Sequence, residues 1–287
     1  MANNVFLNGE YIAGDQARIS VFDRGFIFGD GIYEVIPVYG GRPFRLPQHL
    51  QRLQSNLNAV HISNPHSLAE WSDITSTLIK EINAPDQAIY LQITRGVAPR
   101  DHAYPDNTTP TVFAYSKALG YPNEAELTNG VSAITTADIR WRRCDIKAIA
   151  LLGNVILRQQ AVEQGAAEAI LLHNNHVTEG AASNIFIVKD NILYTPPKNK
   201  QILPGITRDL VVELATTNNI ECREASVPVD LLRSADEVWL TSSTKEVLPV
   251  VRIDSVDVGN GKPGPLHKQI VKLYQAYKAD FRNGKVQ

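Results

Sequence analysis

Ile32-Tyr33-Glu34-Val35-Ile36 leads to Gly40-Gly41, Pro43-Phe44-Arg45-Leu46 returns, and Leu50, Leu53, Leu57 and Val60 then recur at helical spacing behind Pro47. Run, turn and return predict a β-hairpin, and the longer period that follows predicts a helix. Pro47 suits the first turn of that helix, where a missing N–H is one the helix leaves unpaired anyway. Strand and helix side by side make the class α+β. The same mixture extends on both sides. Val5-Phe6-Leu7 and Tyr11-Ile12 flank Asn8-Gly9, a strong turn pair, and predict an opening hairpin. Leu68, Trp71, Ile74, Leu78 and Ile82 describe a second amphipathic helix opened by Ser67, and Ala88 to Arg95 and Thr111 to Tyr115 are β-rich.

Lys117 to Gly130 is polar and turn-rich, with Gly120, Pro122, Asn123 and Asn129. It predicts a linker (117–130) between a smaller N-terminal domain (1–116) and a larger C-terminal one (131–287). In the second half, Val131 to Thr135 predicts a strand, and Ala148, Leu151, Leu152 and Val155 predict a helix reaching about Gln164. Glu168 to His173, Val177, Asn184 to Lys189 and Ile192 to Thr195 are short strands joined by the Asn174-Asn175 and Asp190-Asn191 turns. A helix from about Ile206, strands near Cys222 and Val238, and a last helix carrying Leu266, Ile270, Leu273, Tyr277 and Phe281 complete the chain.

Composition narrows the partners. Lys and Arg number 28 against 30 Asp and Glu, a formal charge of −2 without a long run of either sign. Nucleic-acid and membrane-surface binding rest on a basic patch, so neither is expected. Hydrophobic residues at 44% and charged residues at 20% are ordinary globular values and argue against disorder as the main state. The longest apolar run, Ala148 to Leu157, contains Gly153 and Asn154 and falls far short of the roughly 20 residues of a membrane helix. Cys144 and Cys222 are too few for a disulfide framework, and the first residues lack a basic stretch followed by an apolar core. The expected location is cytoplasmic.

No Walker A, H-E-x-x-H or G-x-S-x-G motif occurs. His173 and His176 bracket a turn without a third ligand nearby, so no metal is expected. Lys147 sits in the apolar setting Cys144-Asp145-Ile146-Lys147-Ala148-Ile149-Ala150. It reads either as a snorkelling lysine beside a core helix or as a desolvated amine able to form a Schiff base. Glu179, in Thr178-Glu179-Gly180-Ala181-Ala182-Ser183-Asn184, is either a solvated turn acid or a carboxylate beside a flat ligand that small residues let approach. Gly205-Ile206-Thr207 opens a helix, whose unpaired N–H groups and positive end suit a phosphate, although Thr207 equally suits a plain helix start. In the loop Pro99-Arg100-Asp101-His102, Arg100 offers a planar fork matched to carboxylates and His102 a second donor, where the default for a loop arginine is solvent.

Together and in this order, these stretches resemble the fold-type IV pyridoxal-phosphate aminotransferases, the group of D-amino-acid and branched-chain aminotransferases and aminodeoxychorismate lyase. The anchors are Arg24-Gly25, Phe28-Gly29-Asp30-Gly31-Ile32-Tyr33-Glu34-Val35, His49-Leu50-Gln51-Arg52-Leu53, Lys147, Thr178 to Asn184, and Gly205-Ile206-Thr207-Arg208-Asp209. Thr94-Arg95-Gly96 with Pro99-Arg100-x-His102, and Asp138-Ile139-Arg140-Trp141 before Lys147, resemble the D-amino-acid pattern within the group. The resemblance implies an α+β, two-domain fold, with a small N-terminal α/β domain and a larger C-terminal domain of β-barrel-like core.

It implies pyridoxal 5′-phosphate as cofactor, bound as a Schiff base to Lys147. Glu179 would pair with the pyridine nitrogen. Arg52, Ile206 N–H, Thr207 and Ser243 would hold the phosphate, and Tyr33, Arg100 and His102 would surround the substrate carboxylate. The implied reaction is ping-pong transfer of an amino group between a D-amino acid (D-alanine, D-glutamate) and a 2-oxo acid (pyruvate, 2-oxoglutarate). In this group the Arg100–His102 loop reaches the neighbouring subunit's site, so a homodimer is implied. An L-branched-chain aminotransferase, a lyase of the aminodeoxychorismate kind and a non-catalytic relative are the alternatives. The sequence leaves open whether Arg142 and Arg143 face solvent, Asp145 or a substrate's distal carboxylate.

Overall fold

The computed structural model describes residues 4–286. Among them, β1 (Asn4–Leu7) and β2 (Glu10–Ala13) form the opening hairpin, followed by α1 (Arg24–Phe28), β3 (Gly31–Tyr39), β4 (Arg42–Pro43), α2 (Leu46–Ala59), α3 (Leu68–Lys80), β5 (Asp86–Thr94) and β6 (Thr111–Ala118). The strands join antiparallel in the order β2-β1-β6-β5-β3-β4. Alternation puts Ile32, Ile36 and Val38 of β3 and Ile89, Leu91 and Ile93 of β5 into one core with Leu50, Leu53 and Leu57 of α2 and Trp71, Ile74 and Leu78 of α3. Ser67 opens α3 through a capping box with Glu70, as its position predicted, and the helix ends at Lys80, before Ile82.

Then come α4 (Glu124–Asn129), β7 (Val131–Ala137), α5 (Leu152–Glu163), β8 (Glu168–His173), β9 (His176–Gly180), β10 (Asn184–Lys189), β11 (Ile192–Thr195), α6 (Ile206–Thr217), β12 (Cys222–Glu224), β13 (Val227–Pro228), α7 (Val229–Arg233), β14 (Glu237–Ser242), β15 (Glu246–Ile253), β16 (Val256–Asp257) and α8 (Pro265–Arg282). These strands order as β12-β11-β10-β14-β15-β7-β8-β9-β13, with β16 on β15. Although β9 and β10 are five places apart in that order, Gly180 N–H donates to Ser183 O and the two strands touch, so the sheet curls round on itself. Ile185, Ile187, Val238, Leu240, Leu248 and Val250 line its core. The α+β expectation holds in both halves, and the curled sheet is the barrel-like core. Among the described residues no helix is long and apolar enough to cross a membrane.

Chain contacts divide the protein into two compact units. The first runs to Gly120 and adds Ile146–Leu151 and the residues from Phe281; the second holds Tyr121–Asp145 and Leu152–Asp280. The expected linker span includes the end of β6 and the helix α4, which Asn123 opens with a capping box.

The stretch 146–151 departs from the sequence reading. Ala148 and Leu151 were expected inside a helix, yet α5 begins only at Leu152. Instead the backbone lies along β3: Tyr33 N–H donates to Lys147 O at 3.0 Å, Ile149 N–H donates to Gly31 O at 3.0 Å, and Ala148 bridges Ile32. Ile146 and Ala148 enter the first unit's core on either side of Lys147, a period of two that a short apolar run does not distinguish from one face of a helix.

Candidate active site

In the first unit, Lys147 lies against β3. Its Nζ stands 4.1 Å from the centre of the Tyr33 ring, and that ring stacks on Tyr90 at 5.7 Å. Burial, with Tyr33 and Tyr115 close by, raises the Tyr90 hydroxyl above its ordinary range, and the hydroxyl donates to Gln92 Oε1 at 2.7 Å. Lys147 is half-buried, at the centre of a tight turn in which Ala148 N–H donates to Ile146 O at 2.8 Å, and Ile146 and Ala148 on either side of it are buried in the core.

Glu34 occupies the core face of β3, between Ile32 and Ile36, with no exposed surface. A charge there needs partners, and α2 supplies them. Arg52 donates Nε to Oε1 at 2.8 Å and Nη2 to Oε2 at 2.7 Å, and His49 Nδ1 lies 2.8 Å from Oε2. Burial alone would raise Glu34, but Arg52 and His49 outweigh it and hold the carboxyl at about 2. His49 is lowered, chiefly by burial. Arg52, expected at a phosphate, is thus anchored from behind by a buried carboxylate.

Arg100 and His102 are exposed on the loop after β5, both against Phe28: the Arg100 guanidinium is 5.3 Å and the His102 ring 5.5 Å from its centre. The loop is built rather than slack. Arg24 donates to Asp101 O at 2.6 Å and to Asp30 at 2.7 Å, Arg95 donates twice to the same Asp30, and the Arg95 guanidinium covers the Tyr104 ring at 3.8 Å.

In the second unit, Glu179 is buried at the end of β9. Arg140 Nη1 donates to its Oε1 at 2.5 Å, while Asn184 Nδ2 and Leu203 N–H donate to Oε2, each at 3.0 Å. Asp138 grips the rest of the Arg140 guanidinium, at 2.9 Å to Nε and 2.8 Å to Nη2, and accepts from Thr178 Oγ1 at 2.8 Å. Burial pushes Glu179 up to about 7 against the pull of Arg140 and Leu203 N–H. The solvated-turn reading of Glu179 therefore gives way to a buried carboxyl with aligned donors. Arg143 pairs with Asp145 at 3.0 Å and Arg142 is exposed, which answers the question the sequence left open for Arg143.

Gly205 ends in extended geometry before α6 and offers no side-chain cap, so Ile206 and Thr207 present the helix start. A Cβ at Gly205 would lie 2.0 Å from Asn184 Oδ1, so only glycine fits. Asn184 stands opposite Thr241 in the sheet, and the buried Thr241 Oγ1 finds no hydrogen-bond partner among the described residues. Ser243 is half-buried in the turn just beyond β14. An uncapped helix start, an obligatory glycine and an orphaned buried hydroxyl fit a bound phosphate group.

Sequence reasoning passed over Glu34 and His49 as site residues, and it quoted Asp138 and Arg140 without a role. For Glu34 the signal was a charge on the same strand face as Ile32 and Ile36, but only burial reveals it. Among the described residues no group of three metal-ligating side chains occurs, and His173 and His176 pair across the Asn174-Asn175 turn.

The family model described as amino-transferase class IV matches residues 31–253. The D-alanine aminotransferase of Staphylococcus haemolyticus is 41% identical over 274 residues, covering 95% of this chain and 97% of that protein. The D-alanine aminotransferase of Bacillus licheniformis is 44% identical over 271 residues, 94% of this chain and 95% of that protein. Among solved structures, the Escherichia coli branched-chain amino acid aminotransferase superimposes with a TM-score of 0.92 at 28% identity, over 100% of this chain and 97% of that one.

Proposed function

Because this chain belongs to the class IV aminotransferases, a pyridoxal-phosphate family, we propose that it moves the amino group of a D-amino acid, of the D-alanine or D-glutamate type, to a 2-oxo acid such as pyruvate or 2-oxoglutarate. The observation that carries the D-specific reading is the 41% and 44% identity to D-alanine aminotransferases over nearly the whole chain.

Pyridoxal 5′-phosphate, when bound, supplies an aldehyde carbon that takes an amine and a protonated ring that accepts the electron pair left at Cα. In this reading Lys147 binds it covalently through Nζ. The same Nζ would remove the Cα proton as general base. Glu179 keeps the ring nitrogen protonated, and Arg140 stabilises the Glu179 charge that this needs. Arg52, Ile206 N–H, Thr207 and Ser243 hold the phosphate. Tyr33, Arg100 and His102 hold the substrate carboxylate. Lys147 acts from one face, so the carboxylate clamp decides which enantiomer presents its hydrogen. The first product leaves before the second substrate binds, which makes the kinetics ping-pong.

The assembly in this reading is a cytoplasmic homodimer in which the loop with Arg100 and His102 serves the active site of a second copy. Ile19, Val21, Phe22, Phe26 and Val97 are all exposed, and Ala98 N–H donates to Phe22 O, so an apolar patch adjoins that loop. Such patches mark association surfaces.

The purified protein should be yellow, and D-alanine added without an oxo acid should bleach the visible band. Bleaching by L-valine and not by D-alanine would replace this reading with the branched-chain one, which the Escherichia coli structural likeness favours.

A further inference from the structure

Glu168, on β8, has no exposed surface and accepts three hydrogen bonds. Ser183 Oγ at 2.8 Å and Lys245 Nζ at 2.9 Å both donate to Oε2, and Ala169 N–H donates to Oε1 at 3.1 Å. Ser183 closes the small-residue loop that follows Glu179, where Gly180 N–H donates to Ser183 O at 2.7 Å. Lys245 is the last residue of the turn between β14 and β15, whose ladder ends at the Ser242–Glu246 pair, and its own N–H donates to Ser242 Oγ at 3.1 Å. One buried carboxylate thus ties the loop of Glu179 to the turn of Ser243. The far side of the turn is also held, since Glu246 accepts from Lys278 Nζ and Gln275 Nε2 at 2.6 Å each.

We propose that Glu168 and Lys245 are positioning residues that set the phosphate affinity of the cofactor site, by locking the 243–245 turn against the 180–183 loop. The proposal rests on the reading that Ser243 and the start of α6 hold the cofactor's phosphate. Lys245 Nζ is committed to Glu168 and so acts through that contact rather than as an anion ligand. Its charge also answers the one on Glu168. Without it, a buried anion stands uncompensated beside a site that must receive another. Loss of Lys245 therefore both frees the turn and repels the ligand.

The test titrates full-length apo-protein with inorganic phosphate and with pyridoxal 5′-phosphate by calorimetry, in wild type, Lys245→Met, Lys245→Arg and Glu168→Gln. Lys245→Met, which loses the tie and strands the Glu168 charge, should weaken both ligands about tenfold, the worth of one charged hydrogen bond, and Glu168→Gln, which loosens the tie but removes that charge, should weaken them less. Lys245→Arg should recover most of the loss, and kcat at saturating cofactor should stay within about twofold of wild type, because the reacting groups are untouched. Unchanged affinity in Lys245→Met, or a Glu168→Gln variant that binds more weakly than it, overturns the proposal. So does an Arg variant as weak as the Met one, or a fall in kcat that saturating cofactor does not repair. A wild-type protein that fails to bind pyridoxal 5′-phosphate overturns the functional reading as well, whereas tight wild-type binding with unaltered variants overturns this proposal alone.

Discussion

Arg140 Nη1 lies 2.5 Å from Glu179 Oε1 while Asp138 holds the other edge of the same guanidinium. One buried cation therefore answers two buried carboxylates, and its orientation is set by the one that is not Glu179. Breaking such an arrangement from one side leaves an unpaired buried charge, so each member depends on the others.

That environment gives Glu179 an unusual pH signature. Its carboxyl, ordinarily at 4.5, is pushed up to about 7. A group raised in the folded state contributes stability that is complete below its ordinary value and is lost as pH rises through the folded value. Thermal melting of apo-protein should show wild type losing stability relative to Glu179→Gln between pH 4.5 and about 7. A constant difference across that window would mean that Glu179 ionises like an exposed acid.

Lys147→Ala should leave the fold intact, because the hydrogen bond of Lys147 to β3 runs through its backbone oxygen and its side chain adds only the contact with the Tyr33 ring. Transamination should fall by roughly a thousandfold or more, as expected on removing a general base that is also the covalent attachment point. Steady-state assay and far-ultraviolet circular dichroism on the same sample check both halves. Appreciable turnover would remove Lys147 from the mechanism.

Arg100→Ala should raise KM for D-alanine by about ten- to a hundredfold with a smaller effect on kcat, since a charged clamp on the carboxylate contributes mainly to binding. Stability should change little, because Arg100 is exposed and rests only on the face of Phe28 among the contacts described. An unchanged KM contradicts the clamp.

Glu34→Ala should destabilise the protein by about 3–5 kcal/mol, the usual result of stranding one side of a buried ion pair. Urea denaturation at neutral pH measures it. Glu34 is held at about 2 against its ordinary 4.5, so its stabilisation is present above 4.5 and is lost as pH falls toward 2. The gap between wild type and variant should close on acidification over that range. A loss under about 1 kcal/mol at neutral pH would place the pair with exposed salt bridges.

The turns show what could be read in advance. Asn8-Gly9, Gly40-Gly41, Asn174-Asn175 and Asp190-Asn191 all adopt positive φ at both residues, the geometry of tight hairpins that these residue types accept. Asp254-Ser255 makes the same turn between β15 and β16 without the usual glycine or asparagine, and passed unnoticed. The Asp254 carboxylate compensates by accepting from Thr135 N–H at 2.7 Å and Thr135 Oγ1 at 2.6 Å, a contact from another strand. The strand β15 was missed as well, since Pro249 argues against a central strand. It is tolerated because pairing with β7 begins only at Val250.

By itself the sequence determined the hairpins, the starts of α3 and α6, the α+β class and the order of motifs that mark the family. Those features depend on residues a few positions apart, whose backbone preferences and capping bonds act locally. The tertiary structure decided that 146–151 runs along β3, that Glu34 takes both Arg52 and His49, and that Arg140 answers Glu179. It also decided that Lys245 answers Glu168. The last two pairs lie 39 and 77 residues apart in the chain, and the cost of an unpaired buried charge, which selects such partners, exists only once the chain has folded around them.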